Sequence, residues 1–407
     1  MTRRFLFLQG VISPFFARLA DYLRAEGHTV GRVNFCAGDM LDWGRRPAWC
    51  YRGKPSDLRP YFEELVAEQD FTDLVLFGDQ RPVHRPAIEL ARERGVRVYV
   101  FEEGYVRPNW ITLERDGVNA NSALPRDPDW YRAVARRLPD YGEGIAVRSR
   151  LSARAARDLL HHLANAANPL LFPRYRTHRP HNAAIEYAGW IRRFARLPLH
   201  RRCDAALIRR LVSDRQRFCL VPLQLNSDVQ IRTHSSFAGM PAMIEMVMKS
   251  FAGAAPADTA LVIKNHPLDT GLIAYDALIA RLQVQFGLQG RVHYLETGHL
   301  PTLLEHASGV VTVNSTTGLS ALVHGRPTLA LGKAIYDLPG LTDQSGLDNF
   351  WQSGEPPDAT LLRAFRNTVI HMTQVNGGFY EARAIALAVQ GAQRLLNVLS
   401  PIEGLSV

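Results

Sequence analysis

The segment 218–237, FCLVPLQLNSDVQIRTHSSF, joins an apolar run to a polar one whose side chains could do chemistry. The apolar part ends at Pro222, and the polar part carries Asp228 among amide, hydroxyl and basic side chains. This pattern is typical of a buried parallel strand that presents side chains at its carboxyl end, where open α/β sheets bind their ligands. Asp228 is therefore the first candidate for a residue that acts on a substrate.

A second candidate site follows the apolar run 96–101, which leads into adjacent carboxylates, Glu102 and Glu103, before Gly104. Carboxylates at the end of a strand and beside a glycine turn are better placed for catalysis than a pair on an exposed helix. The alternative is that both side chains belong to a solvated loop. The pattern favours a catalytic or substrate role for at least one of them.

Cationic and hydroxyl side chains follow two further apolar runs. The run 260–263 leads into Lys264, His266 and Pro267. A lysine and a histidine at a strand end suit an anionic leaving group, and the proline stiffens the turn. The run 309–313 leads into a polar turn that consists of Asn314, Ser315, Thr316, Thr317 and Gly318. Hydroxyl and N–H groups at a helix N-terminus can bind phosphate, while Ser315 or Thr316 can also act as a helix cap, and the two roles are compatible.

Alternating strand-like and helix-like runs would position these residues. A strand at 4–10, a helix at 13–27 that Ser13 can cap, and a strand at 28–35 form a β-α-β start. No G-x-G-x-x-G fingerprint follows the first strand. The start therefore resembles the Rossmann-like domain of nucleotide-sugar transferases better than that of dinucleotide-binding proteins. The fold class that we predict is α/β.

The length of 407 residues, with a hydrophobic content of 46%, favours two domains with a core each. We predict four regions: an N-terminal Rossmann-like domain, a basic helical connecting segment, a C-terminal Rossmann-like domain, and a C-terminal helix that can cross back to the first domain. These regions are 1–125, 126–205, 206–375 and 376–407.

The formal net charge of +9 favours anionic partners such as nucleic acid, lipid headgroups or nucleotide-linked substrates. Arginines interleaved with apolar residues concentrate in the segment 126–205. Helical spacing of such residues suits docking on an anionic membrane surface, where each basic residue adds about 1 kcal/mol. An ordinary solvated helical connection explains the segment equally well. No recognised nucleic-acid-binding motif accompanies the charge, so we expect no nucleic-acid partner.

Other compositional signals are limited. There is no apolar run of about 18 residues, and the N-terminus lacks a small-residue cleavage pattern. We therefore expect no membrane span and no export. The cysteines are far apart, without C-x-x-C or zinc-like spacing, and we expect reduced thiols.

Six motifs in this order resemble the capsule polysaccharide biosynthesis and export family of Gram-negative bacteria, in its KpsS or LipB branch. They are LFLQGVISPFF, NFCAGDMLDW, VFEEGYVRPNWITLE, VPLQLNSDVQI, KNHP and VTVNSTTGLSALVHGRPTLALG. The resemblance covers most of the chain and is specific as an ordered set. The basic middle segment is its least diagnostic part.

The resemblance implies a GT-B glycosyltransferase, in which two Rossmann-like domains face a cleft. It also implies transfer of β-Kdo, with retention, from CMP-β-Kdo to a phosphatidylglycerol-type lipid, which would start the lipid linker of a capsule. The protein would then be cytoplasmic and peripheral on the inner face of the cytoplasmic membrane, alongside other capsule assembly proteins. The basic surface is compatible with this location.

The resemblance also implies roles for the candidate residues. Related sialyltransferases, which use CMP-linked keto sugars too, carry an acidic-acidic-glycine motif and a His-Pro motif, which match residues 102–104 and 266–267. Kdo transferases of the resembled kind use a carboxylate nucleophile, so Asp228 is expected to attack the anomeric carbon. Glu102, or otherwise Glu103, would deprotonate the acceptor hydroxyl.

The remaining candidates would bind substrate, as would Gly104 and Pro267 of these two motifs. Lys264, His266 and the turn 315–317 would stabilise the departing CMP phosphate, where charge develops as the bond breaks. Gln224, Gln230 and Arg232 are close enough to Asp228 in sequence to orient the sugar, and Arg232 could pair with the Kdo carboxylate.

Two alternatives remain open. The chain could be a non-catalytic capsule export or assembly factor, or a GT-B transferase that uses CMP-sialic acid or a UDP-sugar. A CMP donor carries one phosphate, and no D-x-D pair with an obvious metal role stands out, so we expect no cofactor and no metal requirement. Asp39 and Asp42 are the carboxylates for which a chelator control is worthwhile.

Overall fold

The computed structural model describes residues 2–147, 151–177, 183–226, 231 and 234–397. The chain divides into two compact units. The first comprises Met1–Leu124, Arg137–His178 and Arg366–Val407, and the second comprises Pro125–Arg136 and Arg179–Phe365. Residues 126–205 are therefore shared between the two units.

Strands occur throughout the described chain. In chain order they are β1 (Arg4–Phe7), β2 (Thr29–Asn34), β3 (Trp49–Cys50), β4 (Asp73–Phe77), β5 (Arg97–Glu103), β6 (Trp110–Arg115), β7 (Phe218–Pro222), β8 (Ala260–Lys264), β9 (Val292–Leu295), β10 (Gly309–Thr312), β11 (Thr328–Ala330) and β12 (Gln374–Asn376).

Helices alternate with these strands. In chain order they are α1 (Phe15–Ala25), α2 (Ala37–Trp43), α3 (Leu58–Gln69), α4 (Arg85–Glu93), α5 (Pro128–Ala135), α6 (Leu151–Asn165), α7 (Asn168–Leu171), α8 (Ala183–Ser213), α9 (Met240–Ala254), α10 (Tyr275–Phe286), α11 (Leu300–His306), α12 (Thr316–Val323), α13 (Leu347–Ser353), α14 (Ala359–Thr373) and α15 (Ala382–Asn397). Short 3₁₀ turns lie at Pro55–Asp57 and Asn119–Asn121.

The sheet of the first unit has the strand order β12-β6-β5-β4-β1-β2-β3. Strands β1 to β5 are parallel neighbours, while β6 and β12 extend the sheet with antiparallel pairs. The parallel part therefore has the order 3-2-1-4-5 of a Rossmann-like fold, with a topological switch point between β1 and β4.

Two hydrophobic clusters cover the two faces of this sheet. One contains Tyr99 and Phe101 of β5 with residues of α1 and α15, and the other contains Val98 and Val100 with residues of α3 and α4. This alternation follows from the two-residue period of a strand, and burial on both faces explains why β5 is nearly continuously apolar. Ser13 accepts a hydrogen bond from the backbone N–H of Phe15 (3.1 Å) and so assists the start of α1, as predicted.

The sheet of the second unit is entirely parallel, in the order β11-β10-β7-β8-β9. Counted from its own first strand, this order is again 3-2-1-4-5, with the switch point between β7 and β10. Helices α9 and α10 bury their apolar faces against one side, and residues of α8 and α11 lie in the cluster on the other side. The predicted α/β class, with two Rossmann-like domains, is confirmed.

Candidate functional site

The switch point of the second unit is closed by a side-chain bridge between the ends of β7 and β10. The amide Nε2 of Gln224 donates to Oδ1 of Asn314 (3.0 Å), and the backbone N–H of Asn314 donates to Oε1 of Gln224 (3.2 Å). Gln224 is buried, so this reciprocal pair holds its amide in one orientation. The structure thus brings these two predicted residues together at the place where open α/β sheets bind ligands.

The polar turn after β10 forms the N-terminus of α12. Ser315 is the N-cap, and its side chain accepts from the backbone N–H of Thr317 (3.1 Å). Its carbonyl accepts from the hydroxyl of Tyr336 (2.5 Å) and from the N–H of Gly318 (2.9 Å). The predicted N-cap is therefore confirmed for Ser315, and residues 314–317 stay partly exposed around it. The phosphate-binding role of this turn stays a prediction.

Lys264 is the last residue of β8 and is buried, with 6% of its surface exposed. Burial lowers the pKa of its ammonium, and the nearby cation of Arg193 lowers that pKa further. Within the described chain, the ammonium donates to the carbonyl of Asn265 (3.1 Å). An ammonium has three donors, so a bound anion could accept from the others and would offset the cost of burying the charge.

The turn after β8 fixes the histidine ring. The backbone N–H of Leu268 donates to Nδ1 of His266 (3.1 Å), so Nδ1 acts as an acceptor and the neutral ring carries its proton on Nε2. The backbone N–H of His266 itself donates to the side chain of Asn265 (2.8 Å). The arrangement favours a ring whose Nε2 can donate a hydrogen bond or a proton.

Arg193 organises the backbone of this turn from helix α8. Its guanidinium donates to the carbonyl oxygens of His266 (3.2 Å), Pro267 (2.9 Å) and Asp269 (2.6 Å). It also pairs with the carboxylate of Glu296 (2.5 Å), and both side chains are largely buried. A guanidinium with this many partners fixes the shape of the turn that carries His266.

The sequence did not indicate a special role for Arg193. This residue lies in the basic segment 126–205, whose arginines were all predicted to be at the surface. Its turn partners are more than 70 residues away in sequence. Glu296 also accepts from Asn265 (3.1 Å) and from the hydroxyl of Tyr294 (2.7 Å), so its carboxylate links β9 to the end of β8. No local motif marks such a network.

We predict that Arg193→Met lowers turnover toward the level of His266→Ala, because the turn loses the donors that hold His266. The expected loss is about 10²-fold, the size of effect that a misplaced catalytic group produces. Arg193→Lys should recover only part of it, since an ammonium cannot reach the same set of acceptors. Arg196→Met, three residues further along the helix and exposed, is the matched control.

Steady-state rates together with thermal melting check this prediction. We expect Arg193→Met to lose kcat while it stays folded, and the Arg193→Met, His266→Ala double variant to lose no more. This result would show that Arg193 acts by positioning His266. Additive losses in the double variant would contradict it.

The two adjacent carboxylates of the first unit point to opposite faces of the sheet. They end β5, and successive side chains of a strand alternate between its faces. Glu102 lies on the side of Gly78, since a Cβ placed on that glycine would be 3.4 Å from the Glu102 carboxylate. Glu103 lies on the side of Tyr380, whose hydroxyl is 3.3 Å from its Oε1. They are therefore not a catalytic pair acting on one atom.

The contacts of the Glu103 carboxylate give this residue a structural role. Besides Tyr380, Arg154 of α6 approaches its carboxylate to 3.5 Å, and the ring of Tyr380 lies under the Arg154 guanidinium (5.0 Å). Burial raises the pKa of the Tyr380 hydroxyl, and the nearby Glu103 carboxylate adds to this rise. Glu102 in turn accepts from the backbone N–H of Glu103 (3.0 Å). These contacts favour Glu102 over Glu103 as the acid/base residue.

Gly104 is required by the backbone that follows. A Cβ at this position would lie 1.9 Å from the carbonyl oxygen of Trp110, a distance that no real contact allows. The turn between β5 and β6 therefore needs glycine for close packing of two backbone segments. This requirement is structural, and the predicted substrate contact of Gly104 stays a prediction.

Asp39 and Asp42 are engaged by basic partners within the first unit. Asp39 accepts from the backbone N–H of Phe35 (3.0 Å) and pairs with the buried guanidinium of Arg32 (3.3 Å). Asp42 meets Nδ1 of His161 at 2.9 Å. The His161 contact joins α2 to α6 through Asp42, whereas the Asp39 contacts join α2 to β2.

Asp228, Gln230 and Arg232 lie outside the described residues, and their predicted roles stay predictions. Asn226, which precedes them, accepts from the backbone N–H of Met240 (2.9 Å) and so anchors the end of this segment to the start of α9.

The model of the capsule polysaccharide biosynthesis protein family matches residues 72–380. The chain is 39% identical to the capsule polysaccharide export protein KpsS of Escherichia coli over 381 residues, which cover 93% of this chain and 97% of the relative. It is 38% identical to the capsule polysaccharide modification protein LipB of Neisseria meningitidis serogroup B over 383 residues, which cover 92% of this chain and 91% of the relative. The chain belongs to the capsule polysaccharide biosynthesis family, which confirms the resemblance found in its motifs.

The solved structures that align with this chain have much lower sequence identity to it. The β-Kdo 2,7 transferase of Thermosulfurimonas dismutans KpsC aligns over 97% of this chain and 100% of its own, with 14% identity and a TM-score of 0.45. Anabaena Alr3699/HepE, in complex with UDP and glucose, aligns over 98% of this chain and 96% of its own, with 12% identity and a TM-score of 0.30.

Proposed function

We propose that this protein is a retaining β-Kdo glycosyltransferase that moves Kdo from CMP-β-Kdo to a phosphatidylglycerol-type lipid. The observation that supports it best is the edge of the second sheet, where a buried lysine, an oriented histidine and a capped helix N-terminus all follow parallel strands. Each of these groups suits a phosphate. The choice of Kdo rests on the family to which the chain belongs.

The second unit would hold the donor. Lys264 and Nε2–H of His266 would stabilise the phosphate of CMP as its bond to the sugar breaks, together with the N–H and hydroxyl groups of residues 315–317. Gln224 and Asn314 would shape the same edge through their reciprocal hydrogen bonds. A buried cation serves this purpose well, because charge interactions strengthen away from water.

The reaction would proceed by two displacements. An oxygen of the Asp228 carboxylate attacks the anomeric carbon, the bond from that carbon to the phosphate oxygen breaks, and CMP leaves with the bonding electrons. Glu102 then removes the proton of the acceptor hydroxyl, whose oxygen attacks the same carbon and releases the Asp228 carboxylate. Two inversions give net retention.

The sugar carboxylate and the acceptor also need partners. Arg232 would pair with the carboxylate of Kdo, and Gln230 would assist in orienting the ring. The acceptor would be an anionic lipid on the inner face of the cytoplasmic membrane. Within the described residues, no helix is long and apolar enough to cross a membrane. We propose that the reaction needs no metal, because a single donor phosphate can be neutralised by the lysine and histidine.

A panel of donors tests the donor assignment. Titration calorimetry should show binding of CMP and CMP-sugars to the wild-type protein and weaker binding to Lys264→Met. Among CMP-Kdo, CMP-sialic acid and UDP-sugars, only CMP-Kdo should be turned over, with chelator leaving the rate unchanged. The absence of CMP binding would favour a non-catalytic export or assembly factor. Turnover of another donor would support a glycosyltransferase and exclude Kdo as the sugar that it transfers.

A further inference from the structure

An apolar surface on the first unit is exposed although its neighbours are well packed. Helix α6 and the following α7 carry Leu159, Leu160, Leu163 and Leu170 with large exposed fractions, which reach 61% for Leu163 and 88% for Leu170. We call these four residues the leucine face. An ordinary surface scatters such residues singly, whereas these four fall within the short stretch 159–170.

The opposite side of α6 explains why these leucines point outward. His161 is buried against α2, where it meets Asp42 and its ring occupies the space next to Gly38. Asn165 and Asn168 accept from the first backbone N–H groups of α2 (2.8 Å each). At 100° per residue, Leu159 and Leu163 lie on the side of α6 opposite to His161. The inner side is thus polar and hydrogen-bonded, and the outer side is apolar.

Exposed basic side chains accompany the leucine face. They are Arg174 and Arg176, just after α7. Arg174 is close enough to Tyr51 for its charge to lower the pKa of that hydroxyl, although burial of the ring raises the pKa overall. Lys54, whose carbonyl accepts from the hydroxyl of Tyr51, is exposed too. The one acidic residue within α6, Asp158, meets His162 at 3.6 Å.

We propose that the leucine face docks on an anionic lipid bilayer, with the leucines inserted among the acyl chains and the arginines on the phosphate headgroups. Apolar residues on one side of a helix pair and basic residues next to them are the features of an interfacial membrane site. A protein partner would lack the uniform negative charge that these arginines match. The proposal deepens the proposed function, on which it rests, since that function needs access to a lipid acceptor.

Vesicle sedimentation tests the docking surface. Wild-type protein should bind vesicles of phosphatidylglycerol and phosphatidylcholine far more strongly than vesicles of phosphatidylcholine alone. Leu163→Ser with Leu170→Ser should weaken that binding about tenfold or more, and Arg174→Ala with Arg176→Ala about tenfold. Val284→Ser, which changes a side chain of 69% exposure on α10 in the second unit, is the matched control and should bind as wild type does.

Three outcomes would overturn the docking proposal. These are no preference of the wild-type protein for phosphatidylglycerol vesicles, undiminished binding of both double variants, and a change in oligomeric state of the leucine variant without lipid. The last would identify the face as a contact between copies of the chain. Thermal melting of the variants verifies that these exposed substitutions leave the fold intact.

Activity on two acceptors separates this proposal from the proposed function. The leucine variant should lose transfer to acceptor lipid embedded in vesicles and keep transfer to a short-chain, water-soluble analogue. If the wild-type protein binds vesicles as expected and transfers Kdo to neither acceptor, the proposed function fails while the docking surface stands.

Discussion

An Asp228→Ala variant is expected to transfer no detectable Kdo and to form no covalent adduct with it. The reason is that the double displacement needs a carboxylate oxygen to accept the sugar, and alanine offers none. Loss of a nucleophile that acts together with other groups costs orders of magnitude in kcat, about 10⁴-fold or more. Intact mass after mixing with CMP-Kdo measures the adduct, and product formation measures the rate.

Asp276→Ala is the control for this substitution, because Asp276 is an exposed carboxylate on α10. It should keep the wild-type rate. Normal transfer by Asp228→Ala would exclude Asp228 as the nucleophile. If this variant still forms an adduct and peptide mapping locates it on a different residue, the double displacement would stand and that residue would be the nucleophile.

Glu102→Gln is expected to lower kcat by about 10²- to 10⁴-fold, the contribution of a positioned general base. Glu103→Gln should have a much smaller effect, because the Glu103 carboxylate contacts Tyr380 and Arg154 on the other face of the sheet. The two variants are matched in chemistry and differ by one position, so each controls for the other.

The Glu102 prediction has an independent readout. The glycosyl adduct on Asp228 should accumulate in Glu102→Gln, because the first displacement proceeds and the second lacks its base. The reverse ranking of the two glutamates would contradict the assignment.

The fold was accessible from the sequence because its signals are local. Apolar runs such as β5 and β8 mark strands buried on both faces, and the side chains that follow them lie at the carboxyl edge. This reasoning predicts that Lys264, His266 and Asn314 follow strand ends, and the structure has them at the carboxyl edge of the second sheet. Residue type and position also predict an N-cap at Ser315 or Thr316, and Ser315 is the N-cap.

Contacts between distant segments were not accessible in the same way. Arg193 belongs to a helix of mostly exposed arginines, and nothing in its surroundings in sequence indicates that it holds the turn after β8. The separation of Glu102 from Glu103 follows from strand alternation, but the partners that occupy Glu103 come from α6 and from the C-terminal region. Such pairings depend on tertiary packing that no single segment encodes.

The measurement that tests the central claim most directly is the identification, by mass and by NMR, of the product formed from CMP-Kdo and a fluorescent phosphatidylglycerol analogue. We expect the mass to show a gain of one Kdo residue with release of one CMP, and the NMR spectrum to show β configuration at the anomeric carbon. No mass gain under conditions where the protein binds CMP, or a product of inverted configuration, would contradict the account.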